Sequence, residues 1–203
     1  MGVIMDLLVV LFNGFETLDV FGPVEVLGRL ENISKISFVS LAGGLITSSQ
    51  QVPVITEAIS SLPLQSEYIL LVPGGSGVRN EVENERLLEI MKQLTRNAQF
   101  VLSVCTGAVL LAKIGILDHK KATTNKRSFD WVMQQGTNVS WVKKARWVKD
   151  QNIYTSSGVS AGIDMALGFI ADTYGEEQAE VIANRIEYSW NKDSEADMFY
   201  SLY

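Results

Sequence analysis

The stretch Phe100-Val-Leu-Ser-Val-Cys105-Thr-Gly-Ala-Val-Leu-Leu-Ala112 passes from an apolar strand to an apolar helix with almost no connecting residues. A side chain at such a corner projects from the carboxyl edge of a sheet, where open α/β folds place their ligands. It also stands at a helix N-terminus, whose free N–H groups and dipole favour an anion. A thiol placed there is expected to ionise more readily than usual. Gly107 leaves room for close backbone approach, and nearby amides are suited to holding a developing negative charge. The pattern is that of a nucleophile elbow. The competing reading is that Cys105 is a small buried hydrophobe, as most lone cysteines are. Position alone does not identify a reaction.

Outward from this corner, strands and helices alternate. Val3–Phe12 is rich in Val, Ile and Leu, as a strand buried on both faces should be, and it stops at the turn signal Asn13-Gly14. A helix is expected from Asp19 to Leu30, with Pro23 in its first turn. Strands are expected at Lys35–Leu41, Leu45–Ile46, Val52–Ile55 and Tyr68–Val72, the last ending at Pro73-Gly74-Gly75-Ser76-Gly77. Asn84–Arg96 has helical periodicity, with Leu87, Leu88, Met91 and Leu94 on one face. Beyond the helix Ala108–Ile114 come a short helix at Ser128–Gln134 and strands near Val139–Val142, Ala145–Val148 and Ile153–Thr155. The helices Ser160–Tyr174 and Glu176–Ser189 follow. This alternation predicts a three-layer α/β sandwich, flavodoxin-like, with a mostly parallel central sheet. Residues 1–190 read as one domain and residues 191–203 as a polar, aromatic tail, either loose or packed on a partner.

Composition narrows the function classes. The chain has 203 residues, 47% of them hydrophobic and 20% charged, enough to bury a full core. A formal net charge of −6 argues against nonspecific binding to nucleic acid or to an anionic membrane. No apolar run has the length of a membrane span. The opening MGVIMDLLVVLF carries Asp6 and lacks a basic leader, so it reads as a first strand rather than a signal sequence. One cysteine excludes an internal disulfide framework, and one histidine gives no zinc-ligand cluster. A cytoplasmic protein acting on a small molecule, with no cofactor and no metal, is the expectation.

Four segments together carry a family resemblance: FETLDVFGPVEVL (15–27), LLVPGGSGV (70–78), SVCTGAVLLAKIGILDHKKATT (103–124) and TSSGVSAGIDMAL (155–167). In that order, over roughly Val3 to Arg185, they resemble the ThiJ/PfpI superfamily, a class I glutamine amidotransferase-like group. The Cys-Thr-Gly elbow, with Asp19 four residues before Pro23, is similar to the isonitrile hydratase branch. The resemblance implies that Cys105 is the nucleophile and that the acidic residue at Asp19 contacts it. It implies that the Gly75 and Thr106 amides, beside Gly74, border the pocket and stabilise charge, and that the protein is a homodimer. Val20, Phe21, Val24 and Leu27 are candidates for that interface, although burial within one chain explains them equally.

The residues themselves allow plainer roles. Asp19 suits an N-cap, or a carboxyl whose pKa rises beside a thiolate so that it delivers a proton. Glu16 is a neighbouring carboxylate outside the motif position. Thr106 either bonds the reacting atom through its hydroxyl or caps the following helix. Gly74-Gly75-Ser76-Gly77 completes neither phosphate-loop pattern and reads otherwise as a tight turn. Ser160 suits a helix cap and Asp164 a first helical turn. Trp131, Trp141, Trp147 and Trp190 read as core or interface residues, and Lys143, Lys144 and Arg146 as a solvated basic turn.

Departures from the superfamily pattern sharpen the choice. Thr106 stands where protease-like members carry His, and His119 reads as a surface residue, so a Cys–His base is missing. Asn125 follows Thr123-Thr124 where the hydratase branch commonly has His. The leading expectation is an isonitrile hydratase-like enzyme using Cys105, Asp19 and Thr106. The alternatives are a ThiJ/PfpI-type intracellular protease or amidase, and a non-enzymatic redox or ligand sensor using the same cysteine. The 203-residue length and the acidity do not suit a regulator with an added helix-turn-helix module.

Overall fold

The computed structural model describes residues 4–62 and 67–203. Ten strands and seven helices are present among them: β1 (Met5–Val10), α1 (Thr17–Leu27), β2 (Ile33–Ser40), β3 (Gly44–Thr47), β4 (Pro53–Ala58), β5 (Tyr68–Val72), α2 (Val78–Glu81), α3 (Glu85–Asn97), β6 (Phe100–Ser103), α4 (Ala108–Lys113), β7 (Lys121–Ala122), α5 (Phe129–Gln135), β8 (Ser140–Trp141), β9 (Trp147–Asp150), β10 (Ile153–Ser156), α6 (Ala161–Tyr174) and α7 (Glu176–Arg185). Eight strands form one sheet in the order β3-β4-β2-β1-β5-β6-β10-β9, and β7 pairs with β8 apart from it. From β4 to β10 the pairings are parallel, and only the edge pairs β3–β4 and β9–β10 are antiparallel. Helices α1, α6 and α7 pack together, as do α2 to α5, which gives the expected three layers.

The continuous apolar runs have a physical cause. Leu7 and Val9 on β1, and Ile69, Leu70, Leu71 and Val72 on β5, are fully buried because helices cover both faces of the sheet. Each such side chain contributes ~2 kcal/mol by leaving water. Asn84 caps α3 by accepting from the Leu87 N–H at 3.2 Å, and Leu87, Met91 and Leu94 are its buried stripe, whereas Leu88 is only half-buried.

Several boundaries differ from expectation. The Val3 end of the first expected strand lies outside the described residues. Helix α1 begins at Thr17, not Asp19, so Pro23 lies inside the helix instead of in its first turn. There it cannot donate to the Asp19 carbonyl. Ser160 occupies the N-cap position of α6 but makes no side-chain cap bond. Arg146, expected on a solvated turn, is buried, because it pairs with the fully buried Asp164 through Nε at 2.7 Å and Nη2 at 2.6 Å. The stretch after α7 folds back onto its own chain. Arg146 N–H donates to the Ser194 carbonyl at 2.8 Å, Asp197 N–H donates to the Lys144 carbonyl at 2.8 Å, and Asp197 is buried.

Candidate functional site

Successive strands run outward from β1 through β2 in one direction and from β5 through β6 in the other. The crevice outside the carboxyl ends of such strands is where an open α/β sheet binds its ligand. Three segments converge there: the first turn of α1 with Asp19 after β1, the loop with Gly74-Gly75 after β5, and the turn with Cys105 after β6. They are sewn together by backbone. Glu16 N–H donates to the Gly74 carbonyl at 2.9 Å, Gly77 N–H donates to the Gly14 carbonyl at 3.1 Å, and Phe15 bridges Gly75. Gly75 has φ +126°, and a Cβ there would lie 2.3 Å from the Gly14 carbonyl oxygen, so only glycine permits the crossing.

Cys105 opens a single 3-10 turn, Cys105–Gly107, leading into α4. Its φ is +56°, a conformation that costs a non-glycine residue of order 1–3 kcal/mol and persists only where neighbours impose it. Here Cys105 N–H donates to the Ser157 carbonyl at 3.0 Å, and the Thr124 hydroxyl donates to the Cys105 carbonyl at 2.8 Å. The peptide is thus held on both sides. Val159, a β-branched residue, has φ +45°, and its N–H is directed at the Cys105 sulfur, as is that of Thr106. The Thr106 hydroxyl accepts from Gly75 N–H at 3.1 Å and also bonds the sulfur, so it does not cap α4.

Asp19 is completely buried in the first turn of α1 and caps nothing. Its Oδ2 accepts from Gly74 N–H at 2.9 Å, whereas Oδ1 has no nitrogen or oxygen partner among the described residues. The carboxyl lies against the Cys105 sulfur. Burial raises the Asp19 pKa well above the usual carboxylate range, against the opposing pull of the Gly74 amide, and the charge of Glu16 adds to the rise. The thiol does not follow the expectation of easy ionisation. Burial first, then the Asp19 charge, push the Cys105 pKa up, and the Thr106 and Val159 amides offset only part of this. A short helix end offers too little field to overcome removal from water for a residue only 6% exposed. Both groups are thus held toward their protonated forms.

Of the remaining expected residues, Gly74 and Gly75 border the site, but their amides are engaged by Asp19 and Thr106. Glu16 bonds outward to Gln50 Nε2 at 2.8 Å. His119 is exposed beyond the far end of α4. Asn125 caps the turn after Thr124, accepting from Ser128 N–H at 3.1 Å. Trp147 is buried, and Trp131, Trp141 and Trp190 pack half-buried against the core. A cleft of about 830 Å³ between Trp147 and Trp190 shares no lining residue with this constellation. Sequence reasoning did not single out Thr124, Ser157 or Val159 as holders of Cys105. Two of them act through backbone atoms, which carry no residue-type signal, and only the hydroxyl of Thr124 was there to be read.

Comparison with known proteins agrees with this fold. The sequence model of the DJ-1/PfpI family matches residues 5–172. Isonitrile hydratase of Pseudomonas putida is 32% identical over 180 residues, which span 88% of this chain and 76% of that protein. Protein dj-1beta of Drosophila melanogaster is 24% identical over 91% of this chain and 97% of its own length. The crystal structure of a ThiJ/PfpI family protein from Pseudomonas syringae superposes with a TM-score of 0.83 at 26% identity, covering 94% of this chain and 77% of that one. A matching family model across most of the chain, on a fold that sets a cysteine at the strand-to-helix corner, makes this protein a member of the DJ-1/PfpI family.

Proposed function

We propose that this protein is a cysteine-dependent hydratase that converts a small isonitrile and water into an N-substituted formamide. The observation that carries the reading is the Asp19 carboxyl, buried against the Cys105 sulfur with Oδ1 free of any nitrogen or oxygen partner among the described residues. A buried acid beside a buried thiol suits a substrate that is neutral and needs both a nucleophile and a proton at the same carbon.

In this reading the Cys105 sulfur bonds to the terminal carbon of R–N≡C, and the proton held by the pair passes to that carbon. The product is a thioimidate, R–N=CH–S–Cys. Asp19, now a carboxylate, takes a proton from water as the water oxygen bonds to the same carbon, and passes that proton to the nitrogen, which becomes N–H. The C–S bond then breaks, the proton returns to the pair, and R–NH–CHO leaves. The Thr106 and Val159 amides stabilise the sulfur when it carries charge as attacker and leaving group. Because Gly75 N–H is held by the Thr106 hydroxyl, its share in stabilising charge is secondary.

The similarity to isonitrile hydratase of Pseudomonas putida supports the substrate class. The protease or amidase reading has less support, since the one histidine is exposed and distant along the chain from the elbow. The sensor reading also has less, because oxidation of the thiol makes no use of the acid buried beside it at Asp19. Association as a homodimer belongs to this proposal. Val20 and Leu27 of α1 are fully buried within one chain, so an interface would rest on other residues. Incubation of purified protein with an alkyl or aryl isonitrile, followed by chromatography of the formamide, tests the reaction. Product from the wild type and none from Cys105→Ala is expected; equal turnover by both would overturn it.

A further inference from the structure

A second constellation is linked to the elbow through the Thr124 hydroxyl on the Cys105 carbonyl, and the mechanism above makes no use of it. Lys126 and Arg146 are buried, as are Asp164 and Asp197. Lys126 Nζ donates to Thr123 Oγ1 at 2.9 Å and to the Ala145 carbonyl at 2.6 Å, with the Thr124 carbonyl at 3.5 Å. It therefore holds the two-residue step Thr123-Thr124 from behind, and Thr124 holds the Cys105 carbonyl. Asp164 is satisfied on all sides. It takes the Arg146 fork on Oδ2, and Tyr188 Oη at 3.1 Å and Asn191 N–H at 3.0 Å on Oδ1.

Asp197 is different. It arrives from the segment after α7 and stands between two cations, 3.8 Å from Lys126 Nζ and 3.9 Å from Arg146 Nη1. Its Oδ1 accepts from Phe199 N–H at 3.0 Å, and its Oδ2 has no hydrogen bond among the described residues. So it contributes charge rather than a bonded geometry. With Asp197 in place the buried cluster has two positive and two negative charges. Without it one cation is uncompensated, which is costly away from water. The cheapest escape is for Lys126 to lose its proton. Its pKa is already lowered to about 8 by burial, by Arg146 and by Lys143, and the Asp197 charge is what opposes them. A neutral Lys126 holds its three oxygen partners more weakly.

We propose that the segment after α7 is a working part of the site. Asp197 is a positioning residue that acts through Lys126 and Thr124 to fix the Cys105 peptide, and with it the angle at which the sulfur meets Asp19. The inference rests on Cys105 being the reacting group, but not on which substrate it attacks.

The test is the pH dependence of Cys105 alkylation by iodoacetamide in the full-length protein, since this needs no isonitrile. Asp197→Asn keeps the shape and removes the charge. It is expected to change the alkylation rate at pH 8 by about fivefold or more and to displace the profile by ~0.5 pH unit. Asp197→Glu, which restores the charge, is expected to return the profile to that of the wild type. A role in stability alone would lower the unfolding temperature and leave the profile in place. A folded Asp197→Asn with a wild-type profile and rate overturns the proposal. If that variant does not fold, Thr124→Val carries the test by removing only the hydroxyl on the Cys105 carbonyl, and an unmoved profile there overturns it equally. A displaced profile in a protein that forms no formamide would keep this inference and remove the hydratase reading.

Discussion

The Gly74 amide donates to Asp19 Oδ2 at 2.9 Å and leaves the other carboxyl oxygen without a nitrogen or oxygen partner among the described residues, in a carboxyl that lies against the Cys105 sulfur. One bond from a loop after β5 thus orients an acid from the helix after β1 against a thiol after β6. The consequences of that orientation are measurable.

Asp19→Asn separates ionisation from turnover. Removing the carboxylate charge takes away the second cause that raises the thiol pKa, although burial, the first, remains. Cys105 in the variant is expected to alkylate at lower pH than in the wild type. Formamide production should nevertheless fall by about 10²–10⁴, because no group is left to move the proton. Iodoacetamide rates and product chromatography on the same preparation check the two halves.

The same substitution is expected to stabilise the protein at neutral pH. Asp19 has a folded pKa raised above its unfolded value, so the folded state binds the extra proton. Its contribution is fully present below the unfolded carboxylate range and is lost as pH rises through the folded pKa. Asn is free of that loss. Thermal unfolding should show Asp19→Asn more stable at pH 7 to 8 by ~2–4 °C for each kcal/mol gained. The advantage should vanish near ~pH 4.

Lys126 gives the opposite dependence. Its folded pKa, about 8, lies below the ordinary lysine value of 10.5, so the unfolded chain binds more protons between these values. Stability contributed by this position therefore rises with pH across that window, by ~1.4 kcal/mol for each unit of pKa difference. Denaturant midpoints of wild type and Lys126→Met at intervals from pH 7 to ~10 should diverge in favour of the wild type. Parallel midpoint curves would count against the buried cation.

Gly75→Ala tests the stitching of the loops. The added Cβ meets the Gly14 carbonyl and the Glu16 amide at 2.3 and 2.4 Å, both backbone atoms that cannot swing aside. With φ at +126° as well, a destabilisation of ~2–4 kcal/mol is expected, accompanied by loss of turnover. Urea unfolding and the formamide assay provide the two readings.

How far the chain could be read in advance follows from the range of each interaction. Tyr68–Val72 was legible because a strand covered on both faces must be apolar throughout, and the structure places β5 there. The elbow was legible because Val104-Cys105-Thr106-Gly107 leaves no residues for a loop. Asp19 and Gly74 were found by resemblance, but the bond between them joins residues 55 apart and no local pattern encodes it. Arg146 was misread because neighbouring lysines, exposed or half-buried, share its stretch, and only the buried Asp164 from α6 distinguishes it. The sequence by itself determined the alternation of strands and helices and the corner at which the cysteine stands, since periodicity and turn residues act over a few positions. Tertiary structure alone decided the protonation of that cysteine and the company it keeps. Those depend on how much water is excluded and which distant charges are brought near, and both are set only when the layers close.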